Sequence, residues 1–119
     1  VTVKIKAEVS KYLIIATLEA ILKNNKPYKR TYTEQRQNES KNKAEVKAIQ
    51  LAVRHLNQSQ ELKLEIIPSS PYIKMCLQSL AKWQQSDWLT GKGKEVKHKA
   101  EWQEIYELIK NFELEVKDE

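Results

Sequence analysis

Lysine is the residue most suggestive of chemistry in this chain, and one stretch concentrates it. Lys92, Lys94, Lys97 and Lys99 crowd together with His98 among them, and Lys82, Trp83 and Trp88 stand just upstream. Ammonium groups at this density meet phosphates as mobile point charges, which gives sequence-independent, salt-sensitive binding to a polyanion. The tryptophans offer stacking surface there, although the same spacing serves core packing between two helices. His55 and His98 are isolated in sequence and have no partner at ligand spacing, so each reads as an ordinary surface or helix-end histidine. Cys76, beside Met75 in an apolar segment, reads as a core thiol. No HExxH, CxxC or GxSxG occurs. The two glycines are Gly91 and Gly93, which leaves no Gly-rich phosphate loop in the first three quarters of the chain.

The elements that must position these residues are bounded first by size and composition. At 119 residues the chain has the length of one domain, read here as 1–119. With 40% hydrophobic and 31% charged residues it is globular, not disordered. The apolar run from Tyr12 to Leu18 is too short to span a bilayer, so no membrane role is expected. The chain opens with no secretion signal, and a lone cysteine fits a reducing compartment, so a cytoplasmic location is expected. The formal net charge is +5, unevenly spread. Residues 101–119 carry seven acids against Lys110 and Lys117, so the basic excess lies in the first hundred residues. That asymmetry implies a basic surface for a polyanion and a separate acidic end.

Hydropathy patterning then gives the order. Residues 1–9 alternate strictly between apolar and polar, as a half-buried strand does. Tyr12–Leu22 reads as a second strand, and Asn24-Asn25 suits a tight hairpin leading to a third, about Pro27 to Gln35. Ser40 is a natural N-cap for a helix with Val46, Ile49, Val53 and Leu56 on one face. Leu62–Ile67 is a short strand. Ser69 or Ser70 caps the next helix, with Pro71 in its first turn and Ile73, Leu77, Leu80 and Trp83 on its inner side. A lysine-rich loop, about Leu89 to Lys97, leads to a third helix, about His98 to Asn111, burying Trp102, Ile105, Tyr106 and Ile109. Glu113–Val116 closes the pattern as a strand. The expected fold is one α/β domain of order β-β-β-α-β-α-α-β.

That order is the ribonuclease H order, and particular residues carry the resemblance. Asn42-Lys43-Ala44-Glu45-Val46, after Ser40, resembles the family's NxxEL segment, where a metal-binding glutamate sits in the first helical turn. Ile66-Ile67-Pro68-Ser69-Ser70-Pro71-Tyr72-Ile73 resembles its strand–TDSxYV segment. Trp83, Trp88, Thr90, Val96-Lys97 and Trp102 fall where bacterial type 1 enzymes place the tryptophans and lysines of their basic handle, which grips an RNA/DNA hybrid. The resemblance implies a mixed sheet and two-metal-ion hydrolysis by four carboxylates. Position by position, Glu8 stands for the first aspartate, in Ala7-Glu8-Val9-Ser10 where the family has TDGS. Glu45 is the second carboxylate, Ser69 replaces the third, and the fourth, with the final helix that bears it, is missing unless Asp118, Glu119 or a second chain supplies it.

The resemblance therefore implies a degenerate member. Glu8 and Glu45 are its vestigial catalytic residues and its metal ligands if any metal binds, with no cofactor expected beyond Mg²⁺ or Mn²⁺ in the event of residual activity. Its handle residues Lys82, Trp83, Trp88, Lys92, Lys94, Lys97 and Lys99, with Ser40 and Asn42, would contact an RNA/DNA hybrid or structured RNA. Two alternatives stand beside a non-cutting binder. One is a protein-interaction domain resembling the connection domains of reverse transcriptases, with a partner or a second copy over the sheet face left by the missing helix. The other is an active metal-dependent hybrid endoribonuclease with an atypical site.

Overall fold

A computed structural model describes residues 1–117. It contains β1 (Thr2–Val9), β2 (Leu13–Ile21), β3 (Pro27–Gln35), α1 (Lys41–Val53), β4 (Lys63–Ile67), α2 (Pro71–Gln85), α3 (Lys99–Ile109) and β5 (Glu113–Val116). The strands form one mixed sheet in the order β3-β2-β1-β4-β5. β1, β2 and β3 make an antiparallel meander, whereas β1 pairs parallel with β4, and β4 with β5. This is the expected α/β order.

Strand alternation divides the sheet into two unlike faces. Val3, Ile5 and Ala7 of β1 pair across with Ala20, Leu18 and Ala16 of β2, and Val3 and Ile5 lie beside Leu64 and Ile66 of β4. Apart from half-buried Ala20, these residues are buried and form the floor of the core beneath the helices. The opposite face carries Thr2, Lys4, Lys6 and Glu8, flanked by Glu19 and Thr17 on one side and Glu65 on the other. All the described helices lie on the apolar face. The face across the sheet, where the alternative reading places a partner, presents a lattice of opposite charges: Lys29 lies 3.7 Å from Glu19, and Lys63 and Lys117 lie 3.4 and 3.1 Å from Glu115.

Helix α1 is covered on two sides, by β1 and β2 below and α3 beside it. Ala44, Ala48 and Ala52 recur every four residues, and Val46, Ile49 and Val53 fill the remaining contacts, all fully buried. Small side chains there let the helix lie close to its neighbours. Ser40 caps it, its Oγ accepting from the Lys43 N–H at 3.2 Å. At the other end Glu104 of α3 accepts from Arg54 Nε and Nη2 at 2.6 and 2.9 Å and from Gln50 Nε2 at 3.2 Å. The acidic end foreseen from the sequence is thus partly neutralised inside the fold, with Glu107 also paired to Lys110 at 2.7 Å.

Ser70, not Ser69, caps α2, accepting from the Ile73 N–H at 3.3 Å, and Pro71 opens the helix. Helix α3 starts one residue later than expected, because His98 takes a left-handed conformation (φ 60°) that ends the preceding loop. Tyr106 is half-buried, whereas Trp102, Ile105 and Ile109 are buried.

Candidate functional site

The first of two features lies at the end of the sheet where β1 and β4, running parallel, both finish. Crevices at the carboxyl ends of parallel strands are where such sheets bind ligands, because the strands end together and diverge. Here a cavity of about 460 Å³ is lined by Lys6, Glu8, Lys41, Glu45, Pro68 and Ser69, among others. The register places Lys6 beside Ile67, so Glu8 and Ser69 each lie two residues beyond a paired position. Glu45 rises from the second turn of α1 into the same space. The structure thus gathers Glu8, Glu45 and Ser69, the three positions that sequence comparison put at a carboxylate centre.

Their chemistry is unequal. Glu45 is 1% exposed, and the Ser69 hydroxyl donates to its Oε2 at 2.5 Å. Glu8 is half-exposed and ion-paired with Lys6 at 3.5 Å. Lys6 and Lys41 were not foreseen as site residues, yet both line the cavity. The available signal was their placement, Lys6 two residues before Glu8 on one strand face and Lys41 in the first turn of α1. Tyr72 lies close by, its phenol pushed up to about 12 by burial first, then by the Cys76 thiol, with the Glu45 charge adding to the effect and Trp102 opposing it. Burial likewise raises the Cys76 thiol, in keeping with a core role.

A pair of Mg²⁺ ions would need several anionic oxygens converging in near-octahedral geometry. Among the described residues no group of three or more Asp, Glu, His or Cys side chains is placed to hold a metal. Of the two carboxylates, Glu8 is already paired with the Lys6 ammonium, and the third position offers a neutral hydroxyl already committed to Glu45. The described residues do not fit a two-metal centre. Asp118 and Glu119, considered as substitutes, lie outside the described residues.

The second feature is the segment between α2 and α3, residues 86–98. It is an ordered loop. Trp88 N–H donates to the Trp83 carbonyl at 2.7 Å, Val96 N–H to Trp88 at 2.9 Å and Thr90 N–H to Lys94 at 2.7 Å, while Leu89 and Glu95 pair as an antiparallel bridge. Gly93 makes the tip of this small hairpin with φ +77°, a conformation that glycine adopts without penalty. Beneath it Trp83 packs against Trp88 and Trp102, with ring centroids at 6.3 and 6.5 Å, and Trp88 meets Tyr106 edge-on at 6.1 Å. Trp88 is 4% exposed and its indole N–H donates to Gln84 Oε1 at 3.1 Å. This corrects its assignment as a nucleic-acid contact: Trp88 fastens the loop to the domain from below. Trp83 is half-buried in the same cluster.

Packing of the tryptophans leaves the lysines outside. Lys82, Lys92, Lys94 and Lys97 are exposed and form no ion pair among the described residues. Lys99 is half-buried, 3.9 Å from Glu95. The loop ends beside the start of α1. Burial lowers the His98 imidazole from its ordinary value, and the nearby Lys97 and Lys43 charges push the same way against Glu101. Lys41 and Lys43 carry no ion pair among the described residues, and the first turn of α1 holds no acid to offset its dipole. Ser40 and Asn42 stand in that turn. The Ser40 oxygen is engaged as the cap, which leaves its O–H free to donate.

A mixed five-stranded sheet with helices gathered on one face, a cavity at the β1 and β4 ends and a basic loop before α3 define an RNase H-like domain. The RNase H family model matches residues 14–117, and the chain belongs to that family. No curated protein matches it in sequence. Among solved structures it is similar to LC9-RNase H1, described as a type 1 RNase H with the type 2 active-site motif, at TM-score 0.76 and 14% identity over 99% of this chain and 62% of that one. It is similar to the foamy viral protease-reverse transcriptase in complex with RNA/DNA hybrid, at TM-score 0.72 and 13% identity over 98% of this chain. The solution structure of the prototype foamy virus RNase H domain gives TM-score 0.66 and 13% identity, covering 98% and 77% of the two chains. The chain spans 17% of the protease-reverse transcriptase and 62% of LC9-RNase H1. No described helix is long and apolar enough to cross a membrane.

Proposed function

We propose that this RNase H-family domain binds RNA/DNA hybrid or structured RNA through the 86–98 loop and the start of α1, without efficient hydrolysis. The observation that carries the reading is the contrast between the two features: a cavity in which Glu8 is paired with Lys6 and Glu45 accepts from Ser69, and an ordered loop whose Lys92, Lys94 and Lys97 are exposed and form no ion pair among the described residues. Lysines on an anchored loop keep their side-chain freedom while their backbone is fixed, which suits contacts to phosphates along a strand. The similar foamy viral protein, captured with an RNA/DNA hybrid, supports the choice of ligand. A-like duplexes are read by shape and by 2′-OH groups, a task open to the Ser40 hydroxyl and the Asn42 carboxamide.

The test is an anisotropy titration of a labelled RNA/DNA hybrid with Mg²⁺ present, at low and physiological salt, with the duplex checked for integrity afterwards. Salt-dependent binding to a duplex that stays whole is the expected result. The quadruple change Lys92→Ala, Lys94→Ala, Lys97→Ala and Lys99→Ala is expected to weaken binding to every sequence alike and to flatten the salt slope by roughly 0.9 for each phosphate no longer neutralised. Cleavage that disappears with Glu45→Gln would replace this reading with an atypical nuclease. Absence of binding at low salt would remove nucleic acid from the account.

A further inference from the structure

At the far end of the sheet from the carboxylate cavity, roughly 17 Å along β1 from Glu8 to Val3, a smaller cleft opens between β2, β3 and the turn that follows α1. Its volume is about 290 Å³, at the lower end of the range for small-molecule sites. Leu18, Leu56 and Leu62 form an apolar floor, and Tyr28, His55, Asn57 and Gln60 supply the rings and amides around it. Neither the lysine loop nor the carboxylate cavity contributes a residue.

Three details give the cleft a chemical character. The imidazole of His55, which is exposed, lies flat on the Tyr32 ring, with centroids 3.6 Å apart and planes within 3°. Tyr28, Arg30 and Tyr32 alternate along β3 and so project to one side, and the Arg30 guanidinium sits over the Tyr28 ring at 5.0 Å. The amides are unequally occupied: Asn57 Oδ1 accepts from Ser59 N–H and Ser59 O–H at 3.0 and 2.7 Å, which leaves its NH₂ to donate, and the Gln60 carboxamide has no partner among the described residues. Aromatic faces, a neighbouring guanidinium and free amide edges are together the means by which unpaired bases are held, by stacking on the ring and hydrogen bonding at the rim.

The geometry points to a second, separate nucleic-acid contact, a pocket for one unpaired nucleobase formed by Tyr28, His55, Asn57 and Gln60, with Arg30 facing the adjoining phosphate. The base extends the Tyr32–His55 stack or slides onto Tyr28, and its edge meets the two amides. A duplex, whose bases are already paired and stacked, does not use this pocket. The site therefore serves a single-stranded segment, and it stands or falls independently of the lysine loop.

The test is a titration of the uniformly ¹⁵N-labelled full chain, followed by amide chemical shifts. The probes are adenosine monophosphate, ribose 5-phosphate, a short oligoadenylate and a hybrid duplex. Saturable shifts at Tyr28 and at residues 55–60 with the nucleotide and the oligonucleotide, and none with ribose 5-phosphate, are the expected result. His55→Ala weakens oligonucleotide binding there by about tenfold, whereas His55→Phe, which keeps a stacking ring, retains it. His55 is exposed, so both variants keep the core. Equal shifts with ribose 5-phosphate would reduce the site to a phosphate contact and overturn the proposal, as would silence at these amides with the nucleotide and the oligonucleotide.

Discussion

The Ser69 hydroxyl donates to Glu45 Oε2 across 2.5 Å, tying the end of β4 to the second turn of α1. A hydroxyl at that place supplies a proton donor to a carboxylate that is almost wholly buried. Ser69→Ala removes the donor and leaves Glu45 with its desolvation uncompensated, at a cost of about 1–3 kcal/mol. Urea unfolding measures it, with Ser69→Thr expected to keep most of the stability. An unchanged midpoint in Ser69→Ala would show that solvent in the cavity does the same work.

Trp88 tests whether the loop must be anchored in order to bind. Its ring lies beneath the lysines and is itself almost out of solvent. Trp88→Ala is expected to cost about 3 kcal/mol through the cavity it leaves. It should also weaken hybrid binding although no lysine is altered, while Trp88→Phe restores much of both. Amide hydrogen exchange across residues 86–98 reports the loosening directly. Full affinity in a Trp88→Ala protein with an exchanging loop would mean that the lysines act without a fixed backbone.

His98 sets a pH dependence whose sign follows from its surroundings. Burial, aided by Lys97 and Lys43, lowers its folded-state pKa beneath the unfolded value of 6.5. The unfolded chain therefore binds the proton more readily, and the stability His98 contributes is present above pH 6.5 and lost as pH falls below it. Asn tolerates the left-handed backbone at this position without titrating. Thermal melts between pH 7.5 and 5.5 should show a fall in the native protein that is shallower in His98→Asn. Parallel curves would place the dependence elsewhere.

Arg54 and Glu104 join the end of α1 to α3 in a two-pronged ion pair that Gln50 completes. Both side chains are more than one-third exposed, so solvent screening holds their coupling to about 1 kcal/mol. A double-mutant cycle with Arg54→Met and Glu104→Gln measures it. Arg54, above all through hydrogen bonding, lowers the Glu104 carboxyl pKa beneath its ordinary value of 4.5. This contribution is thus present above pH 4.5 and disappears as the solution is acidified below that. A coupling energy near zero at neutral pH would reduce the bridge to a surface contact.

The fold was legible because pattern and period agree along most of the chain. Strict alternation in residues 1–9 marked β1, Ser40 marked the start of α1, and Pro71 marked the start of α2, each within a residue or so of the observed boundary. His98 misled because its left-handed backbone arises from how the loop closes, which no helical periodicity records. The site was legible in part. Glu8, Glu45 and Ser69 could be placed because short segments around them resemble those of the ribonuclease H family, yet Lys6 and Lys41 gain meaning only when β1 and α1 are brought together. Trp88 was ambiguous in principle, since spacing gives no sign of whether a ring faces solvent or a neighbouring ring. The Tyr32–His55 stack joins residues far apart in sequence and left no local trace.

The charged face of the sheet has a consequence for how the chain finds its register. Val3, Ile5 and Ala7 share β1 with Lys4, Lys6 and Glu8, so a slip of one position would exchange the two sets. Three charged side chains would then enter the space beneath α1, and three apolar ones would leave it. β1 stands at the centre of the sheet and must settle against β2, its close neighbour in sequence, and against β4, which arrives only after α1 has crossed over. A hairpin formed out of step early on is therefore rejected when the helix docks, since the helix can cover only the uncharged side. The lysines and glutamates of the open face thus disfavour the slipped pairing, because the native register alone keeps every one of them in water.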